Sequence, residues 1–184
     1  MALLTGAVSR ILLYNGHAWP ASTRERLKGI YLLILRLDAD LADFAIGRLG
    51  CYCFTAGYYL YVGSAFGSGG ITARLAHHQH RPKPRLHWHI DYLREHAALL
   101  EVWGIATPAR LERCWAHALA LTPGLSIPAP GFGASDSDAA SHLFYTPGPP
   151  ARDQLMLALL GCAEQAGATN LAIDIRDYQA AIDR

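Results

Sequence analysis

The sequence is short of the features that mark several large classes of protein. Its longest apolar runs, 30–35 and 58–62, fall far below the roughly 18 residues that a membrane-spanning helix needs. Its four cysteines form one C-x-C pair and two isolated residues, a pattern typical of neither a disulfide framework nor a C-x-x-C zinc site. These shortages predict a protein of the cytoplasm that contacts no membrane and needs no disulfide to fold.

Charge is also scarce. Only 17% of the residues are charged and the formal net charge is +1, so any attraction to nucleic acid must come from a local patch. The hydrophobic share of 52% excludes intrinsic disorder, and 184 residues suit one compact domain. We expect an N-terminal extension (1–28), a main domain (27–146) and a C-terminal helical extension (147–184).

The apolar segments that are present predict a sheet. Segments 29–35 and 58–63 are apolar or aromatic on both faces, which is typical of inner strands, and 99–107 reads as a third strand. Segment 71–81 predicts a helix that two following prolines end. The expected fold is α+β, a small three-stranded antiparallel sheet flanked by helices.

The remaining segments are less regular. Segment 36–57 suits a solvated connection with a short helical turn, and 86–97 fits either a strand or a helix, with the helix favoured. Thr107 as N-cap and Pro108 as first residue predict the start of another helix. An amphipathic helix is expected near 153–165.

Chemically useful side chains recur at the ends of these elements. Tyr31 begins the first strand and Tyr61 lies near the end of the second, so antiparallel pairing brings both to one end of the sheet. Arg74 and His78 share one side of the helix that follows, beside its apolar stripe. Glu112 falls at the edge of a later helix's apolar arc. Taken singly, each of these residues also fits an ordinary packing or surface role.

The ordered set resembles the motifs of the GIY-YIG nuclease superfamily, whose members cut phosphodiester bonds with a divalent ion. Gly29-Ile30-Tyr31 and Tyr61-Val62-Gly63 match the two name motifs, and Arg74, His78 and Glu112 follow in order. The chain is more closely similar to an uncharacterised branch of that superfamily, found alone in bacteria and fused to endonuclease III-type proteins in some archaea. That similarity covers about residues 27–146 and is carried by segments 59–65, 70–75, 87–93, 131–136 and 141–144.

The resemblance implies a role for each residue. Glu112 would hold Mg²⁺ or Mn²⁺, with waters completing the shell, and no small-molecule cofactor is expected. Arg74 would clamp the scissile phosphate. Tyr31 or Tyr61 would orient or deprotonate the water, with His78 as a proton relay, and the choice of general base stays open.

The sequence departs from the family pattern in three ways. The name motifs are separated by 29 residues, where about ten are usual in the superfamily, and no asparagine follows Glu112 closely. The segment after Asp136 carries Ser137 and Ala139 where the branch tends to have cysteines, which argues against a zinc site there. The alternative function is therefore a weakly active or inactive module that keeps the fold and binds nucleic acid or protein.

A basic strip predicts where a substrate binds. Between residues 71 and 90 there is no acid, while Arg81, Lys83 and Arg85 are interleaved with Trp88 and several histidines. We expect nucleic acid as the partner, DNA rather than RNA, with a DNA-repair protein as a further partner. The substrate would be selected by its structure, as in a repair-type endonuclease.

Five other polar residues have two interpretations. His87, His89 and Asp91 share one face if their segment is a strand, so they suit either a metal site or packing, including a polar network under Trp88. Asp136 and His142 suit either loop-tethering hydrogen bonds or a role in shaping the site.

Overall fold

The computed structural model describes residues 27–134, 138–169 and 171–178. The predicted extension 1–28 therefore lies outside the described residues apart from its last two, and Asp136 lies outside them as well. In chain order the elements are β1 (Gly29–Leu37), β2 (Leu41–Ile46), β3 (Gly50–Phe54), β4 (Gly57–Ser64), α1 (Gly70–Gln79), α2 (His89–Arg94), β5 (Ala98–Ala106), α3 (Glu112–Ala120), β6 (Leu143–Thr146), α4 (Arg152–Gln165) and β7 (Asp174–Asp177).

The protein is α+β, as predicted, but its main sheet is larger than expected. The strand order is β6-β4-β1-β5-β7, and every neighbouring pair is antiparallel. The three predicted strands form the centre, so the expectation of only three strands was wrong. β6 and β7 have four residues each, too few to show a period in the sequence. They form because β4 and β5 offer unpaired edges.

The segment between β1 and β4 was predicted wrongly as a solvated connection with a helical turn. It is an antiparallel hairpin of β2 and β3. Phe54 is fully buried and Phe44 packs edge-on against it, with ring centroids 6.1 Å apart. The hairpin therefore gains its stability from aromatic contacts with the core, which its polar residues concealed in the sequence.

The sheet buries both of its faces. From β1, Tyr31, Leu33 and Leu35 point to one side, called here the tyrosine face, where α1, α2 and the hairpin cover them. Ile30, Leu32 and Ile34 point to the opposite face, which α3 and α4 cover. Burial on both sides explains why β1 is apolar without alternation.

Two helix starts differ in how well they were predicted. Segment 89–94 is helical, as favoured, and Asp91 in its first turn accepts hydrogen bonds from the backbone N–H groups of His87 and Trp88. The next helix begins at Glu112 and not at Pro108. The Thr107 hydroxyl accepts a hydrogen bond from the Ala109 N–H at 3.1 Å, so it closes a local turn instead of capping the helix.

Two further observations concern the predicted cellular setting. Cys114 on α3 and Cys162 on α4 form a disulfide, which was not expected, while Cys51 and Cys53 are free and exposed on β3. In the part of the chain that the structure describes, no helix has both the length and the apolar character needed to cross a membrane.

Candidate active site

Tyr31 and Tyr61 lie together at one end of the sheet, on the tyrosine face. In the antiparallel pair β1–β4, Tyr31 stands opposite Gly63 and Tyr61 stands opposite Leu33. A Cβ atom on Gly63 would lie 2.4 Å from the Tyr31 ring and hydroxyl, so only glycine leaves room for this ring. The glycine of the second motif is therefore required by the tyrosine of the first.

Gly29, the first residue of the first motif, has a similar explanation. A Cβ atom there would lie 1.9 Å from the Ile105 carbonyl oxygen and 2.8 Å from the Ile71 side chain. Glycine thus lets β1 begin against β5 while α1 packs closely beside it. The nearby Ile71 N–H donates to the Leu27 carbonyl at 2.9 Å, which ties the start of α1 to the same corner.

α1 delivers His78 to Tyr31. The Tyr31 hydroxyl and His78 Nε2 are hydrogen-bonded at 2.8 Å, and both side chains are buried. Burial lowers the pKa of His78 to about 3, with the charges of Lys83 and His77 adding to the effect, so the imidazole is neutral near pH 7. His78 Nδ1 has no hydrogen-bond partner among the described residues.

Tyr31 lies within electrostatic reach of all the other predicted catalytic residues. Its pKa is well above the usual value, first because it is buried and next because Tyr61 is close. The Arg74 guanidinium lowers this pKa, whereas the Glu112 carboxylate raises it. The phenol is consequently protonated near pH 7 and is a hydrogen-bond donor in this state.

Arg74 is held against an aromatic ring. Its guanidinium carbon lies 4.0 Å from the centre of the Trp88 ring, a cation–π contact, and the arginine is half-buried. Trp88, predicted as part of the nucleic-acid-binding strip, thus has Arg74 stacked on its ring. Trp88 also contacts His77 edge-on, with ring centroids 4.5 Å apart.

Glu112 reaches the site from the other layer of the protein. α3 packs on the opposite face through Trp115 and Leu119, but its first residue lies at the end of β4. There the carboxylate accepts a hydrogen bond from Ser64, and its Oε1 lies 3.4 Å from His142 Nδ1. Burial would raise its pKa, but His142, Ser64 and the more distant Arg74 charge outweigh burial and lower it. The group is therefore a carboxylate, with its side chain 31% exposed.

His89 and His142 attach the 129–142 loop beside Tyr61. The Gly133 N–H donates to His89 Nδ1 at 3.1 Å, and a Cβ atom on Gly133 would lie 3.0 Å from the Tyr61 ring. The backbone of His142 bonds to Phe132 on one side and to Val62 on the other. Both histidines thus tether the loop, and His142 in addition contacts Glu112.

The predicted basic strip is only partly a surface. Lys83 has 2% of its side chain exposed and forms an ion pair with Asp91, so its charge is already paired within the protein, and its predicted contact with nucleic acid stays a prediction. Arg81 is exposed but donates to the carbonyls of Glu95 and Ala97. Arg85 and His87 are exposed, and the His87 ring lies 5.1 Å from Trp88. The pairing of Lys83 with Asp91 was not visible in the sequence, because no local pattern links the two positions.

Two contributors to this region, Arg94 and Ser64, escaped the sequence interpretation, while a third, Asp91, lies in a polar network beside Trp88, one of its two expected roles. Asp91 is fully buried and, besides Lys83, accepts a hydrogen bond from His77 at 2.9 Å. Burial alone would raise its pKa, but the hydrogen bonds, above all that from Lys83, lower it to about 2. Arg94 is 3% exposed and donates to the His78 carbonyl at 3.0 and 3.2 Å. Ser64 supports Glu112. Asp91 belongs to segment 87–93, one of the segments that carry the family resemblance. Its position three residues after Trp88 is a helix-start signal.

The donor set around Glu112 bears on a divalent ion. Among the described residues no three His, Cys, Asp or Glu side chains are grouped closely enough to hold a metal by themselves. Mg²⁺ nevertheless often binds through one or two carboxylates and keeps several waters. The ionised, partly exposed Glu112 fits that type of binding.

The fold and the site define an α+β protein with a cluster of two tyrosines, a histidine, an arginine and a glutamate at one end of its sheet. The family model described as "Domain of unknown function DUF123" matches residues 30–163, which include the whole cluster. The chain belongs to this family. No curated protein and no solved structure matches the chain.

Proposed function

We propose that this protein hydrolyses phosphodiester bonds in nucleic acid, DNA in preference to RNA, with a divalent metal ion. The observation that carries the proposal is the environment of Tyr31. The Tyr31 hydroxyl is hydrogen-bonded to His78, and its pKa is shifted by Tyr61, Arg74 and Glu112. Residues from β1, β4, α1 and α3, far apart in sequence, thus converge on one phenol.

The converging groups suit phosphodiester hydrolysis. That reaction needs an oriented water, stabilisation of charge on the phosphoryl oxygens and help for the leaving oxygen. Arg74 supplies a planar cation that matches a phosphate and lies within electrostatic reach of both Tyr31 and Glu112. His78 is neutral and hydrogen-bonded to Tyr31, which fixes the direction of that phenol, and the proton-relay role implied by the resemblance would require the metal or Arg74 to lower the pKa of Tyr31 first.

Glu112 is the residue that would hold Mg²⁺ or Mn²⁺. The metal, when bound, supplies Lewis-acid stabilisation of the phosphoryl oxygens and lowers the pKa of a bound water. Because the Tyr31 pKa is raised, this phenol is a weak base near pH 7 and is better suited to orient a water by hydrogen bonding.

The finer parts of the proposal depend on the resemblance. We take the pairing of β1 with β4, which puts Tyr31 and Tyr61 on one face, as support for a GIY-YIG-like core within the larger sheet. The same resemblance underlies the structure-selective endonuclease activity and the DNA-repair partner in this proposal.

One observation favours a second candidate, a module that binds nucleic acid without cutting it. Glu112 is the one carboxylate among the predicted catalytic residues, and no asparagine follows it closely. If the site binds a metal too weakly, Arg74 still provides a cation for a phosphate.

The test is cleavage of labelled single-stranded, duplex, flapped and branched DNA and RNA in EDTA, Mg²⁺ or Mn²⁺. Glu112→Gln should slow cleavage by about a thousandfold, because a metal contributes several kcal/mol to this chemistry, while binding in EDTA persists. The matched control is Glu164→Gln, an exposed acid on α4. Metal-dependent cleavage unaffected by Glu112→Gln would refute the proposed role. Binding without any cleavage would establish the second candidate.

A further inference from the structure

We propose that Asp91 is a positioning residue that orients the Arg74 guanidinium by holding Trp88 beneath it. The inference rests on the proposed function for what Arg74 does to a phosphate, but its geometry stands on contacts within the protein. It assigns a purpose to the His87–Leu93 motif, which the catalytic roles left unexplained.

The first step joins Asp91 to the backbone of Trp88. One carboxylate oxygen, Oδ2, accepts the N–H groups of His87 at 2.9 Å and Trp88 at 3.0 Å. These two bonds fix the entry into α2 and therefore the direction in which the indole leaves the backbone.

The second step joins Asp91 to the ring of Trp88. The other oxygen, Oδ1, accepts a hydrogen bond from His77 Nε2 at 2.9 Å. The His77 ring lies edge-on to Trp88 at 4.5 Å, and Arg74 stacks on the same indole at 4.0 Å. The indole thus contacts both His77 and Arg74, which lie on α1.

The third step concerns charge. Lys83 forms an ion pair with Asp91 and is almost fully buried, so the carboxylate is already neutralised by another cation. Among the described residues no carboxylate lies within ion-pair distance of Arg74. Trp88 consequently orients Arg74 without neutralising it, which leaves its charge available to a phosphate.

The opposite face provides a matched control. Glu101 is also a buried carboxylate, and it accepts hydrogen bonds from the Trp103 indole at 2.8 Å and from Arg152. That network also joins a buried carboxylate to an indole and a cation, but none of its contacts leads to Arg74. Glu101→Gln therefore removes a comparable buried charge without touching Arg74.

The first measurement is the Arg74 Nε–Hε signal in ¹⁵N-edited NMR spectra, assigned by its loss in Arg74→Lys. The Trp88 ring should displace this signal from the range of free arginines. Asp91→Asn should return it to that range, and Glu101→Gln should leave it displaced. An unchanged signal in a folded Asp91→Asn protein would overturn the proposal, whether or not the protein is a nuclease.

The second measurement is binding of fluorescein-labelled branched DNA in EDTA, by anisotropy, across a double-mutant cycle. We expect Asp91→Asn to weaken binding about fivefold, the size of one cation–π contact, but to have no further effect in Arg74→Ala. Equal losses in both backgrounds would mean a merely structural role and would overturn the proposal. If the wild type neither binds nor cuts nucleic acid, the proposed function fails while the NMR result still decides the positioning.

Asp91→Asn leaves Lys83 buried without its anion and so risks poor folding. Trp88→Leu keeps the Asp91 network and removes only the ring. Trp88→Leu should return the Arg74 Nε–Hε signal to the range of free arginines and should weaken DNA binding as much as Asp91→Asn does. A Trp88→Leu protein that retains the wild-type Arg74 signal would also overturn the proposal.

Discussion

Both faces of the sheet bury clusters of apolar side chains, but polar groups are arranged differently on each. On the opposite face, Glu101 is bonded to Trp103 and Arg152 in a closed group between β5 and α4. On the tyrosine face, polar contacts continue from Asp91 through His77 and Trp88 to Arg74, and from Arg94 to His78 and Tyr31. The first arrangement braces the fold, and the second leads to a partly exposed cluster.

This difference teaches which buried polar groups indicate function. A buried carboxylate whose bonds all return to one small group is explained by packing, because its partners compensate its lost hydration. A network that leads to a neutral histidine, and to an arginine with no carboxylate at ion-pair distance among the described residues, is not explained in that way. The tyrosine face is therefore where we expect substitutions to separate activity from stability.

The largest effect should come from shortening one buried leucine on each face. Leu159→Ala on α4 and Leu75→Ala on α1 should each lower the free energy of unfolding by about 2–5 kcal/mol. Only Leu75→Ala should also slow cleavage by the folded protein, because α1 carries Arg74 and His78. Urea unfolding and single-turnover rates measure the two quantities. Equal rate losses for both variants would remove the distinction between the faces.

A pair of glycine substitutions should sharpen the comparison. In Gly63→Ala the new methyl group would overlap the Tyr31 ring, so we expect about 1–3 kcal/mol of destabilisation and a displaced tyrosine. Gly161→Ala on α4 meets no atom within 4 Å and should stabilise the protein by about 0.5–1 kcal/mol. Thermal unfolding and cleavage rates check both. A Gly63→Ala protein with wild-type activity would show that the position of Tyr31 does not matter.

The last predicted effect is a pH dependence of stability that originates on the tyrosine face. The pKa of His78 falls from its ordinary value to about 3 on folding, so below pH 6.5 the unfolded chain binds a proton that the folded protein excludes. Stability should therefore decrease as the pH falls from 6.5 towards 3, by up to about 1.4 kcal/mol per pH unit.

Urea unfolding between pH 7 and pH 4.5 measures this slope. His78→Gln should flatten it over that range, whereas His117→Gln, at an exposed position on α3, should leave it as in the wild type. The depressed pKa of Asp91 acts only below pH 4, where protonation of this carboxyl removes further stability. A slope that persists in His78→Gln would assign the effect to other groups.

The sequence was sufficient for the central strands and for the face that carries the tyrosines. Residues 29–35 and 58–63 are apolar throughout, and period-two alternation then decides that Tyr31 and Tyr61 share a side once the strands pair. The helix 89–94 was also within reach because Asp91 marks its first turn. Local periodicity and local capping were enough in these cases, because both depend on residues close together in the chain.

Other features were decided by tertiary structure alone. Glu112 belongs to a helix on the opposite face and joins the tyrosines only because α3 begins at the end of β4. The Lys83 side chain is buried and forms an ion pair with Asp91. β6 and β7 form only as partners for the edges of β4 and β5. Such contacts depend on where distant segments meet, and no local pattern of residues records that. The chain thus determined by itself which residues are candidates for the site, while the fold decided which of them face each other and which are buried.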